Sequence, residues 1–301
     1  MLRSHFIDWF RFLAYNFLQR LRATWLLLAI AAFAVLASVT MVITAFLYSE
    51  VQAEAGLKHT IASTSDTSIH TQIVTQGRPL GPTDYDRLQT TVEVEIGEHI
   101  GGLYQSQQRL GRAQRLPFVN RPEDGLSFLS PLAVFTFRTD LVENTRLVEG
   151  RRPQILPSRG TNLELEVSVG ADAAETMGWG VDTTIYVVPF FDDQTEQMEV
   201  HVVGLIEPAN PRDIYWMGDI SDFTTDLDNN RQVVPLLLPE ELFFQQLGST
   251  YPFFTGSLWW TVFLDVDQIT PGMVESTQSQ LEKLEADINK QFARSLVITG
   301  L

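Results

Sequence analysis

ATWLLLAIAAFAVLASVTMVITAFLYS, residues 23–49, contains no charged side chain. A helix crossing the ~30 Å hydrocarbon layer of a bilayer needs about 20 consecutive apolar residues, so this run reads as a transmembrane helix. Trp25 and Tyr48 sit near its two ends, where interfacial aromatics are expected. Val51-Gln52-Ala53 could serve as a signal-peptidase site, but signal peptides have apolar cores of roughly 7–15 residues, shorter than this one. The expectation is an uncleaved, single-pass anchor in the cell membrane.

On the N-terminal side, Arg3, Arg11, Arg20 and Arg22 oppose a single Asp8, a balance of +3. That excess predicts a cytoplasmic N-terminus and places the rest of the chain outside. Phe6, Phe10, Leu13, Phe17 and Leu21 fall on one side of a helix. Residues 1–22 therefore read as an amphipathic helix on the cytoplasmic leaflet.

With a net charge of −16 for the whole chain, the part after Ser49 carries −19. So acidic a domain is a poor partner for nucleic acid, whose phosphates need a basic face. The chain has no cysteine, which excludes disulfides, zinc–thiolate sites and a thiol nucleophile. Later apolar stretches, residues 233–238 and 258–264, are too short to span a membrane and read as core strands or loops.

Periodicity divides the outer part, residues 50–301. Residues 67–76 alternate as a strand, and 77–82 form a turn. Thr83 is placed to cap a helix whose buried stripe is Leu88, Val92, Ile96 and Ile100, ended by Gly101-Gly102. Residues 103–112 and 131–139 read as strands, and the Pro- and charge-rich piece 116–125 between them as a loop. Near the end, 258–266 is a strand and Thr270-Pro271 starts a helix with Leu281, Leu284, Ile288 and Phe292 on its buried face. A short strand, 296–299, closes the chain. The fold class predicted is α+β, with β-α-β units at residues 50–146 and 255–301 packed in one sheet. A small β-rich part, residues 147–254, is inserted between them.

Within that insert, 163–169, 184–189 and 198–207 read as strands, 171–177 as a helical turn and 190–197 as a polar loop. Its landmarks are Leu147-Val148-Glu149-Gly150-Arg151, Gly170-Ala171, Ala174, Met177-Gly178, Gly180-Val181-Asp182 and Val202-Val203-Gly204-Leu205-Ile206. Gly204 inside a strand suggests a bulge or a close backbone approach. These residues resemble the extracytoplasmic core domain of ABC-transporter permeases of the macrolide-exporter, lipoprotein-release and cell-division type, the MacB and FtsX type. That pattern runs Leu-x-x-Gly-Arg, strand, Ala-x-x-Leu-Gly, Gly-Asp, strand, Val-Val-Gly-Ile. Here the Gly-Asp pair is loosened to Gly180-Val181-Asp182. The resemblance implies a permease component working with a cytoplasmic ATP-binding subunit and a second permease subunit in the lipid bilayer. Such permeases carry further transmembrane helices after this domain. The chain therefore reads either as truncated before them or as a lone domain working with other subunits.

No signature of catalysis accompanies this. There is no Gly-x-x-x-x-Gly-Lys-Ser/Thr loop, Gly-x-Ser-x-Gly elbow or His-Glu-x-x-His helix. None of the five histidines, His5, His59, His70, His99 and His201, stands at ligand spacing to another. Asp226-x-Asp228-x-Asn230 opens like a calcium loop, but Arg231 takes the glycine position and Leu237 that of the bidentate glutamate. Asp219, Asp222, Asp226 and Asp228 are thus expected in a solvated loop. The aromatics at 214–216 and 251–260 are expected in the core, or on a loop as an apolar patch for a substrate or partner. The expectation is a protein that is not an enzyme, with no catalytic, cofactor-binding or metal residues. The alternative is a membrane-anchored extracytoplasmic ligand-sensing domain.

Overall fold

The structure, a computed structural model, describes residues 2–63, 70–156, 163–292 and 295–298. They divide into two compact units that meet at residues 60–61.

The first unit is formed by one helix, α1, Leu2–Ser63, with 62 residues, of which residues 61–63 belong to the second unit. At ~1.5 Å per residue that is roughly 90 Å, far longer than a bilayer is thick. Its segment Thr24–Thr60 is apolar enough to cross a membrane, and no residue of its most apolar stretch is buried. Leu26, Phe33, Leu36, Val42 and Phe46, among others, are exposed around the helix. Covering so large an apolar surface takes a bilayer or another protein. Ser38 and Thr40 donate their hydroxyls to the carbonyls of Ala34 and Leu36, so these two polar groups are satisfied within the helix. The side chains of Phe6, Phe10, Leu13, Phe17 and Leu21 lie outside the described residues, as do residues 67–69 of the expected first strand and Thr299 of the last.

The second unit is a mixed α+β domain. Strands β1 (Thr71–Pro79), β2 (Tyr104–Ala113), β11 (Thr255–Leu264) and β12 (Ser295–Ile298) lie in the order β12-β1-β11-β2, all antiparallel. Helix α2 (Pro82–Ile100) links β1 to β2, and α4 (Val274–Gln291) lies between β11 and β12. Each helix thus joins two strands separated by a third, a split β-α-β arrangement used twice. The expected stripes are the buried ones: Leu88, Val92, Ile96 and Ile100 on α2, and Leu281, Leu284 and Ile288 on α4. Phe292 lies just past α4 as its C-cap, half-buried under the Arg78 guanidinium.

Two local expectations change. Residues 77–79 continue β1, because Gly77 takes φ 64° and forms a bulge after which pairing with β11 resumes at Arg78. Thr83 is not the cap; Gly81 precedes the helix and Pro82 occupies its first turn, where a missing N–H costs nothing.

Between β2 and β11 come β3 (Leu116–Val119), β4 (Leu132–Arg138), β5 (Thr145–Gly150), β6 (Glu164–Gly170), the short α3 (Ala171–Met177), β7 (Thr184–Val187), β8 (Met198–Pro208), β9 (Asp226–Asp228) and β10 (Arg231–Leu237). Pairings β4-β3-β7-β8-β6-β10 return to β4, so six strands close a small barrel. Closure removes sheet edges and buries Phe118, Leu165, Val167, Ile185, Val200 and Val234 completely. β4 belongs to the barrel and also pairs with β2, so one continuous sheet runs through the domain.

The expected loop 116–125 opens as β3. Pro117 cannot donate, but its carbonyl accepts from Val188, and Phe118 and Val119 are buried.

Candidate functional site

In the four-stranded part, alternate residues point to opposite faces. Arg109, opposite Trp260, approaches Glu93 of α2, which marks that parity as the helix side. The other parity, Gln72, Thr261, Gln108, Trp259, Leu110 and Arg112, faces away from the helices. It lines a recess of about 370 Å³ together with Arg138, Trp216, Met217 and Asp219. The roof is the segment after β8, where the 3-10 turns Ile214–Trp216 and Ser221–Phe223 bring Trp216 and the aspartates over the sheet. A second hollow, about 310 Å³, shares Arg112 and Trp259 and includes Arg115, Asp222 and Asp226.

Asp222 is the electrostatic centre. It is 2% exposed, not solvated as the sequence suggested. One carboxylate oxygen accepts from Arg112 at 2.7 Å and the other from Arg138 at 3.0 Å. Arg112 also reaches Asp219 at 3.1 Å. The turn is buried because Trp216 and Phe223 pack with Ile206 and Leu237 in a core cluster that draws Asp222 inward. Burial pulls the Arg112 guanidinium down, but the attraction of Asp222 and Asp219 more than offsets it, so the charge is held more firmly than usual. Burial raises the Asp219 carboxyl, yet hydrogen bonds from Ser221 and the charge of Arg112 leave it below the usual carboxylate range. Burial pushes the Tyr215 hydroxyl well above its ordinary value; that hydroxyl donates to the Thr139 carbonyl at 2.7 Å.

Indole faces complete the site. Arg112 lies 5.7 Å from the Trp259 ring and Arg138 5.3 Å from that of Trp216. Arg138 Nε has no hydrogen-bond partner among the described residues. Guanidinium and amide donors beside indole faces suit a planar polar or anionic group, and the volume fits a small molecule.

Asp226 and Asp228 do not converge with the other two on a cation. They form β9, paired with β10 through Asn229 and Asn230 at φ 50° and 64°, a tight hairpin. Asp228 pairs instead with Arg115 at 2.8 Å. Of the aromatics, Trp216, Tyr251, Phe254 and Trp260 are core, while Phe253 is exposed. Arg112 and Arg138, which organise the site, escaped the sequence reading; the available signal was a lone arginine ending the apolar strand LAVFTFR.

The other landmarks of the insert are structural. Gly150 (φ 81°) pairs with Gly204 across β5 and β8. A Cβ on Gly150 would lie 2.2 Å from the Val203 carbonyl oxygen, and one on Gly204 2.2 Å from that of Arg151. Pairing of β6 with β8 skips Val203, the bulge expected there. Gly178 ends α3 at φ 68°, with Trp179 N–H returning to the Ala174 carbonyl. Arg151 makes a two-pronged ion pair with the buried Glu166 of β6.

No protein family's sequence profile matches the chain, and no curated protein matches it. Among solved structures, the periplasmic region of MacB from Actinobacillus actinomycetemcomitans is similar over 78% of this chain and 91% of that one, at 13% identity and a TM-score of 0.36.

Proposed function

We propose that this chain is a permease component of an ABC transporter, its domain lying outside the membrane and handling a substrate or partner mechanically rather than as an enzyme. The supporting observation is the Gly150–Gly204 crossing. The residues that carry the family resemblance are those on which the backbone packing of β5 and β8 depends. The layout agrees. β1 and β12, the first and last strands, are paired neighbours with Gln72 opposite Ile298, so a displacement at one end of the domain is felt at the other. In this reading the N-terminus is cytoplasmic, and a separate ATP-binding subunit drives the cycle.

The test is extraction in mild detergent from the native membrane, followed by intact mass and subunit stoichiometry. A stoichiometric ATPase partner is the expected result. A 34.0 kDa species with no ATPase refutes the proposal. It would favour a second reading, an anchored ligand-sensing domain, for which the arginine- and tryptophan-lined recess is the specific support. Tryptophan fluorescence during titration with small carboxylates tests that reading directly.

A further inference from the structure

Helices α2 and α4 pack against each other, one from the first and one from the last β-α-β unit. At their contact Glu95 and His99 stand one turn apart on α2, and Asp287 and Gln291 one turn apart on α4. His99 Nε2 lies 3.1 Å from Asp287 Oδ2 and 3.4 Å from Glu95 Oε2. The three atoms all fall within 4.8 Å of one another. The other oxygen of Glu95 accepts from the Gln291 amide.

A single Nε2 carries at most one proton and satisfies one carboxylate oxygen, whereas here two converge on it. A divalent ion held at about 2.0–2.1 Å with tetrahedral angles requires its ligand atoms about 3.3 Å apart. The two separations from His99 bracket that figure, and the Glu95 and Asp287 oxygens lie within 4.8 Å of each other. Burial is graded in the way a metal site needs. Glu95 is 7% exposed, the His99 side chain 15% and the Asp287 side chain 45%, which leaves an open side for water or entry. Gln291 holds the Glu95 carboxylate in orientation, the part played by outer partners of metal ligands.

We propose that Glu95, His99 and Asp287 form a site for a divalent transition-metal ion of the zinc class that pins α2 to α4. One imidazole with two carboxylates suits Zn(II), and the imidazole disfavours Mg(II). Bound there, the ion ties together the units that begin and end the domain.

The experiment uses the full chain in detergent, stripped with chelator and titrated with Zn²⁺ by calorimetry, with thermal unfolding in parallel. One equivalent binds, and saturation at about a hundred times Kd raises the unfolding temperature by ~5–10 °C. Mg²⁺ at the same concentration leaves it unchanged. His99→Gln and Asp287→Asn each abolish the shift, and Gln291→Ala weakens binding about tenfold. Failure of the parent to bind one equivalent, an equal response to Mg²⁺, or a shift that survives both ligand substitutions overturns the proposal. Asp287 is at the exposed edge, so Asp287→Asn carries the test even if His99→Gln does not fold. These outcomes are independent of whether an ATPase co-purifies.

Discussion

Replacing Asp222 with asparagine keeps the shape of the turn and removes one charge. Arg138 is the group that suffers. Its side chain is 3% exposed, and among the described residues its one other hydrogen-bond acceptor is the Tyr215 carbonyl, at 3.4 Å, with the Trp216 ring face beside it. Arg112 suffers less, since its side chain is 28% exposed and it keeps Asp219 at 3.1 Å. Breaking a buried pair by removing one partner costs about 3–5 kcal/mol, because the other charge stays behind without compensation. For a domain of this size 1 kcal/mol corresponds to roughly 2–4 °C in unfolding temperature, so Asp222→Asn lowers it by ~6–20 °C. The assay is thermal unfolding of the detergent-solubilised chain followed by tryptophan fluorescence, to which buried Trp216 in the same cluster contributes. Asp219→Asn is the control; its side chain is 47% exposed, and its loss changes stability by no more than about 1 kcal/mol. The double change Asp222→Leu with Arg138→Met costs less than the sum of the single changes, since it leaves no unpaired charge there. If Asp222→Asn melts within about 2 °C of the parent, or no more than the control, the network is not what holds the roof on the recess.

Gly204→Ala puts a methyl 2.2 Å from the Arg151 carbonyl oxygen, so β5 must detach or bend; limited proteolysis then cleaves near residues 150–156 faster than in the parent. The Glu166 carboxyl is held below its usual value of 4.5 by the hydrogen bonds of Arg151, opposed by burial and aided by the Gln154 N–H. With the folded value depressed, its contribution is complete above pH 4.5 and fades as pH falls through that lower value. Glu166→Gln is therefore less stable than the parent at neutral pH, and the gap narrows in acid, as denaturant midpoints measured across pH will show. Because the chain has no cysteine, single changes Ser4→Cys and Glu123→Cys report topology with no background. A membrane-impermeant maleimide applied to intact cells labels position 123 and not position 4, and the reverse pattern refutes the proposed orientation.

What the sequence determined by itself was everything that rests on short-range periodicity. The uncharged run of residues 23–49 is sufficient for a helix of lipid-crossing length, because a lipid-facing helix satisfies its backbone internally and needs no partner. The stripes Leu88–Val92–Ile96–Ile100 and Leu281–Leu284–Ile288 were legible because burial repeats with the helical turn. Gly150 and Gly204 were legible as special backbone positions, though not as each other's neighbours. Tertiary structure alone decided the rest. Closure of the barrel depends on β10 lying parallel to β4, a pairing with no local signal. The same holds for the burial of Asp222: it stands in an aspartate-rich stretch, and only Trp216 and Phe223 docking on Ile206 and Leu237 carry it out of water to meet Arg112 and Arg138. Glu95 and His99 share a helix face at one-turn spacing, but Asp287 stands 188 residues further on. Periodicity says which residues turn inward; which distant residues they meet is settled by how the sheet and helices pack.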